Sequence, residues 1–402
     1  MPVHSAFRYL RPLPLAAAAL LGLPIDRTQF DSITPRWSAA VDLRIPSIGD
    51  QHLLTQVFDL QVGSAGEIIV GDAQEARLFV FNAAGRLLRF LGKRGYGPGE
   101  FQTPKAMGWL GDTLWVTDEA QLRVSFFDLE RATLGSARIS GPAIPPGLPR
   151  PPNHFLSDGS VVLEPQVGSQ ELVKTRAITE IPVWRLTRQG VILDTLARLP
   201  IGYRVVYLPI GPRELYSSHP LPMVPLWKAA SAGQFLVFVD LPIVRNAERG
   251  AIRIHYRKPN GEPLRTVHLP FDPQELPTTV TDSILESIAN GLSKALPERP
   301  AASTLRSILR QRITFPQFRP PVTRLVIGKD STVWLRREET GAPTTRWDVL
   351  DWSGTHIASC ELPADLVVFQ AQRTALWGVM PDKDGAPQVL RYHLSPESEE
   401  NR

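Results

Sequence analysis

Two acid–arginine pairs recur at one spacing, Asp72 with Arg77 and Asp118 with Arg123, each acid closing a strand-like segment, IIVGD or LWVTD. A carboxylate at a strand end accepts turn amides, and an arginine five residues on meets it across the hairpin and fixes the loop. Asp72 and Asp118 are therefore expected to be structural. Between the pairs runs GKRGYGPG, residues 92–99, where glycines let backbone approach a ligand closely. Lys93, Arg94 and Tyr96 on that loop are the ligand-contact candidates, with Arg77 and Arg123 beside them. The loop lacks the spacing and strand–helix context of a phosphate loop, which argues against a nucleotide.

These residues need strands to hold them, and the strands come in copies. Residues 54–91 read as four short strands joined by Ser64-Ala65-Gly66 and Asn82-Ala83-Ala84-Gly85, both of hairpin chemistry. Similar copies follow at 92–139, 153–199, 225–269 and 321–362, and an incomplete one of three strands at 366–394. Four antiparallel strands every 40–50 residues or so is the signature of propeller blades. A three-stranded last blade would expose an edge, and the isolated strand at 37–45 supplies the missing outer strand. The expected fold is all-β: a six-bladed β-propeller closed by its N-terminal strand, spanning 37–394. A small helical insertion, 272–315, lies between blades 4 and 5. In it Thr281 is a plausible N-cap, Ile284, Leu285, Ile288, Leu292 and Leu296 repeat at helical spacing, and 304–312 forms a second helix. Together they are expected to cap the channel mouth.

Composition agrees. The chain has 402 residues, 43% of them hydrophobic, with 38 Pro and 29 Gly, which suits many short strands and turns. Its net charge of +4 is dispersed rather than gathered into the basic stripe that nucleic acid requires. A single cysteine, Cys360, forbids an intrachain disulfide and reads as a buried, inert thiol. Arg8 and Arg11 precede an apolar run at 13–23, the pattern of a secretory signal peptide over 1–24. A linker at 25–36 follows, and the chain closes on a polar tail, 395–402. The expected location is extracytoplasmic, with no stable membrane span once the leader is removed.

The segment GYGPGEFQTP…GDTLWVTDEAQLRVSFFD resembles an NHL repeat through Gly97, Pro98, Gly99, Glu100, Phe101, Pro104, Asp118, Arg123, Phe127 and Asp128. The chain as a whole resembles bacterial six-bladed propellers of the NHL/TolB-like group. That resemblance implies a binding platform, a sensor domain or a metal-dependent lyase. Lyases of the group hold zinc with histidines near the axis, whereas His154, His219, His255 and His268 fall at dissimilar positions in their repeats.

Propeller topology then separates two faces. The a–b and c–d turns are tight; the d–a and b–c connections carry every long segment, so one face is loop-rich, and long loops on a rigid scaffold are where binding resides. Acids recur near the ends of the b strands at Asp72, Asp118, Glu164, Asp240, Glu338 and Asp382, a set that suits calcium if it converges. No cofactor is expected otherwise. G-x-S-x-G, H-E-x-x-H and Cys/His clusters are absent from the sequence. The expected function is an exported, non-enzymatic binding or scaffold module that recognises a protein, peptide or glycan through its loop-rich face. The alternative is a calcium- or zinc-dependent hydrolase or lyase working at the axial mouth.

Overall fold

Burial grades outward within each repeat. In the first, Ile68–Asp72 is buried throughout and Arg77–Phe81 nearly so, while Leu87–Leu91 is mostly exposed. That gradient is what a radially arranged blade requires: its middle strands are covered on both faces by neighbouring blades, and its last strand faces water. The computed structural model describes residues 35–49, 52–130, 132–138, 152, 154–164, 179–200, 205–210, 213–221, 224–230, 233–241, 248–337 and 343–397. Residues 1–34, which include the expected signal peptide and most of the expected linker, lie outside them, as do Glu338 and residues 398–402.

Five four-stranded antiparallel sheets follow the chain in order, beginning at Val57–Val62, Pro104–Leu110, His154–Phe155, Leu226–Ala229 and Val322–Ile327. The sixth joins Val367–Gln372, Ala375–Pro381 and Pro387–Pro396 to the N-terminal strand Arg36–Ile45. The protein is thus a six-bladed all-β propeller closed by its N-terminal strand. That strand runs antiparallel to Pro387–Pro396, from Trp37↔Pro396 to Ile45↔Val389, and touches blade 5 in parallel at Arg36↔Ser359 and Trp37↔Cys360. Apolar clusters fill the spaces between successive blades; one joins Phe79 and Phe81 of blade 1 to Trp377 and Val379 of blade 6. Cys360 is buried among Trp334, Trp347 and Tyr392, and burial pushes its thiol up to about 12.

Gly108 faces Trp115 across the first hairpin of blade 2, and a Cβ at 108 would lie 2.5 Å from the indole ring. The Gly108→Ala variant is expected to displace that ring and lose ~1–3 kcal/mol, the cost of overpacking a filled core. Thermal melting followed by tryptophan fluorescence checks it; an unchanged midpoint would mean that the ring moves freely.

The helical insertion holds α1 (Thr278–Ala295) and α2 (Ala302–Arg312). The first helix begins before the expected cap: Pro277 stands at its N-cap, and the Thr281 hydroxyl donates to Thr278 O inside the first turn. Both helices pack on a hairpin, Val205–Ile210 with Arg213–Ser218, in the preceding d–a connection. Val206, Leu208, Leu285, Ala289, Leu305 and Leu309 form their common core. Two successive d–a connections thus build one structured body on the loop-rich face. No helix among the described residues is long and apolar enough to cross a membrane.

Candidate functional site in the axial channel

The innermost strands of all six blades surround an axial cavity of about 620 Å³. Four of these strands carry a register shift, between Val57 and Asp59, Pro104 and Ala106, Val322 and Arg324, and Val368 and Gln370, and such bulges are common beside functional sites. Consecutive residues line the channel, Phe58 with Asp59, Lys105 with Ala106, Thr323 with Arg324, and Phe369 with Gln370, as do 225–229 of blade 4, whose register is regular.

Three charged groups stand out along this wall. Asp59 accepts from the Leu60 amide at 2.8 Å and the Met107 amide at 2.9 Å, which ties blade 1 to blade 2. Burial raises its pKa, against the pull of the Met107 amide and of Lys228. Arg324 donates Nε to Val368 O at 2.9 Å, tying blade 5 to blade 6, and its guanidinium lies over the Phe369 ring. Lys228 is an exposed side chain on the channel wall. Burial lowers the pKa of both cations; Asp59 partly offsets this, and each is lowered further by a neighbouring arginine. His154 bonds Ala230 O of the next blade at 3.2 Å, and burial, with Lys228 nearby, pushes it down to about 4, so it is neutral at pH 7. Nearer the rim, Glu164 accepts from Trp227 Nε1 at 2.7 Å and Lys105 pairs with Glu119 at 3.9 Å. On the plain face, Lys329 reaches from blade 5 across blade 6 to the Val62 and Gly63 carbonyls of blade 1.

The residues singled out in the sequence lie elsewhere. Asp72 accepts from the amides of Thr55, Gln56 and Glu75, and Asp118 from those of Gln102, Thr103 and Gln121. Their arginines do not meet them, contrary to expectation. Arg123 donates to the carbonyls of Tyr96, Gly97 and Glu100, and Arg77 lies over the Phe90 ring near Glu75. The physical reason is saturation: amides already occupy each carboxylate, while the glycine loop offers the carbonyls of Tyr96, Gly97 and Glu100 to Arg123. Lys93 pairs with Glu100 at 3.2 Å, and Arg94 donates to Gln74 O. Tyr96 is 78% exposed.

The b-strand acids are used locally. Asp240 meets His255 and Arg253, and Asp382 accepts from the Asp384 and Ala386 amides. Of the four histidines, only His154 lines the channel; His219 bonds Leu221 and Thr314 beside the insertion, and His255 and His268 lie on the outer strands of blade 4. Among the described residues, no three His, Cys, Asp or Glu side chains are grouped closely enough to hold a metal ion.

Comparison with known proteins agrees with this architecture. A family model described as a six-bladed β-propeller, DUF5128, matches residues 49–135, which cover blade 1 and most of blade 2. No curated protein matches the chain. Among solved structures, a Bacteroides fragilis protein described as exported is 11% identical, with 90% of this chain and 96% of that chain covered and a TM-score of 0.49. A DUF4221 member from Bacteroides vulgatus is 9% identical over 90% of this chain and all of its own, with a TM-score of 0.46. Virginiamycin B lyase from Staphylococcus aureus is 12% identical over 89% and 99%, with a TM-score of 0.41. Likeness at this level carries no argument about ligand or activity.

Proposed function

We propose that this protein is an exported, non-enzymatic propeller that binds a protein, peptide or glycan through its loop-rich face. One observation carries the reading: two d–a connections pack on that face into a structured body with its own apolar core, and the glycine loop between blades 1 and 2 holds Tyr96 in solvent. A rigid ring that carries long connections on one side and short turns on the other is built for recognition. Export is supported by the charged and apolar pattern of residues 8–23, and the NHL-like repeat at 97–128 favours the same class.

Defined peptide and glycan arrays test the reading. The full chain is expected to bind members of one array, and Lys93→Ala/Tyr96→Ala to weaken that binding at least tenfold while the melting midpoint stays within a few degrees. Absence of binding on both arrays, or binding indifferent to the double substitution, would overturn it. Melting with chelator, then with calcium or zinc, addresses the alternative: a metal ion that binds only the folded state adds about 2.7 kcal/mol at a hundred times its Kd. Such a rise would move the reading to a metal-dependent hydrolase or lyase.

A further inference from the structure

We propose that the axial channel is a subsite for a small organic carboxylate on a ring-shaped body, its charge received by Lys228 and Arg324 and its ring by the aromatic wall. This deepens the binding reading and rests on it, because the acid would be the end of a ligand, or a small ligand in its own right, that enters the propeller.

Charge and saturation carry the inference. In the middle of the channel two cations face one carboxylate, and that carboxylate is already engaged by the Leu60 and Met107 amides and by Gln61 Nε2 at 3.4 Å. Neither cation is within ion-pair distance of Asp59 among the described residues, so the attraction acts across the cavity. Lys228 has no hydrogen-bond partner among the described residues, and the bond that Arg324 makes uses Nε alone. Lys228 thus presents an exposed, unpaired ammonium to the channel, and an incoming anion supplies the partner it lacks. Carboxylates at the rim do not serve, since Glu164 is bonded to Trp227 and Glu119 is paired with Lys105. Phe58, Trp109, Trp227 and Phe369 line the same cavity and give a flat body faces to lie against. Arginine and lysine together receive a carboxylate well, one as a fork and the other as a point charge. The volume of about 620 Å³ falls within the usual range for small-molecule sites.

Calorimetric titration of the full chain with benzoate and with glucuronate tests this, with benzamide and glucose as their uncharged counterparts. At least one acid is expected to bind at least tenfold tighter than its neutral counterpart. Which acid binds identifies the ring as aromatic or sugar. Lys228→Met keeps the stem, removes the charge and breaks no bond seen here; it is expected to weaken the acid at least tenfold. Arg324→Lys, which retains charge, keeps measurable binding, and Tyr96→Ala, distant on the glycine loop, leaves the affinity unchanged. Melting curves confirm that each variant is folded. The proposal is overturned if neither acid binds, if the neutral compounds bind as well, or if folded Lys228→Met binds like the wild type. Because the titration needs no macromolecular partner, such failure would leave recognition by the loop-rich face standing, and failure of the arrays would leave the channel result intact.

Discussion

A chain lacking residues 1–45 is expected to lose cooperative melting altogether. The strand Arg36–Ile45 is the outermost strand of blade 6, and without it Pro387–Pro396 is left with an unpaired edge. Exposed edges of this kind invite association with other chains. The loss extends beyond one ladder. Ile45 is 1% exposed in the cluster shared by blades 1 and 6, while Trp37, Ala39 and Val41 pack on the cluster shared by blades 5 and 6. Trp37 also meets Trp334 of blade 5 with ring centroids 5.9 Å apart, and Asp42 binds Arg391 at 2.8 Å. The strand therefore joins the last blade to both of its neighbours. Full burial of Ile45 alone is worth about 1.5–3 kcal/mol. Four further apolar side chains, Leu43 among them, and eight paired positions are lost with it, against a total stability on the order of 5–15 kcal/mol. Circular dichroism melting and size-exclusion chromatography check the result, with expected outcomes of a broad or absent transition and self-association. Ile45→Ala is the milder probe, expected to cost ~2–5 kcal/mol through the cavity it leaves. A truncated chain that melted within a few degrees of the full one would show that blade 6 stands on three strands.

The closing strand was legible in the sequence for the same reason that it matters. An apolar run of alternating character with no partner in its own repeat, and a final repeat one strand short, complete each other. Tight turns were legible too, because Asn82-Ala83-Ala84-Gly85 and its counterparts carry residues that accept left-handed backbone, as Gly85 does at φ 77°. The channel was not. Asp59, Lys228 and Arg324 each read as an ordinary polar member of a half-buried strand, and nothing in the local pattern shows that all three line one channel. Their nearness to one another depends on ring closure, which brings together residues 96 to 265 positions apart. The hairpin at 205–218 had a fainter signal: Gly211-Pro212, a turn dipeptide, between VVYLPI and RELYSS. Prolines at 200, 209 and 212 weaken the strand pattern there.

The acid–arginine pairs show how a correct spacing can carry a wrong partner, and Asp118→Ala is the variant that exposes it. Asp118 is fully buried and accepts from three backbone amides, Gln102 at 2.6 Å, Thr103 at 3.2 Å and Gln121 at 2.9 Å, with Gln121 Nε2 at 3.1 Å. Asp72 repeats the arrangement with Thr55, Gln56 and Glu75. In each blade one carboxylate clamps the segment entering the inner strand to the b–c turn. That turn ends on a non-glycine residue in left-handed conformation, Ala76 at φ 52° or Leu122 at φ 51°, a geometry that persists only when its surroundings enforce it. Removing the carboxylate of Asp118 orphans three donors, each costing about 1–3 kcal/mol when buried. Allowing for water that enters the space, Asp118→Ala is expected to lose ~3–5 kcal/mol, a fall in melting midpoint on the order of 10 °C. Arg123→Ala should cost less, because two of the three carbonyls it gathers retain other partners: the Glu100 amide donates to Gly97 O and Gln121 Nε2 to Glu100 O. Its effect belongs to the loop, seen as faster proteolysis near Tyr96 and weaker binding on the loop-rich face. If Asp118→Ala instead kept its midpoint and lost ligand, the carboxylate would be a recognition group and the clamp would be incidental.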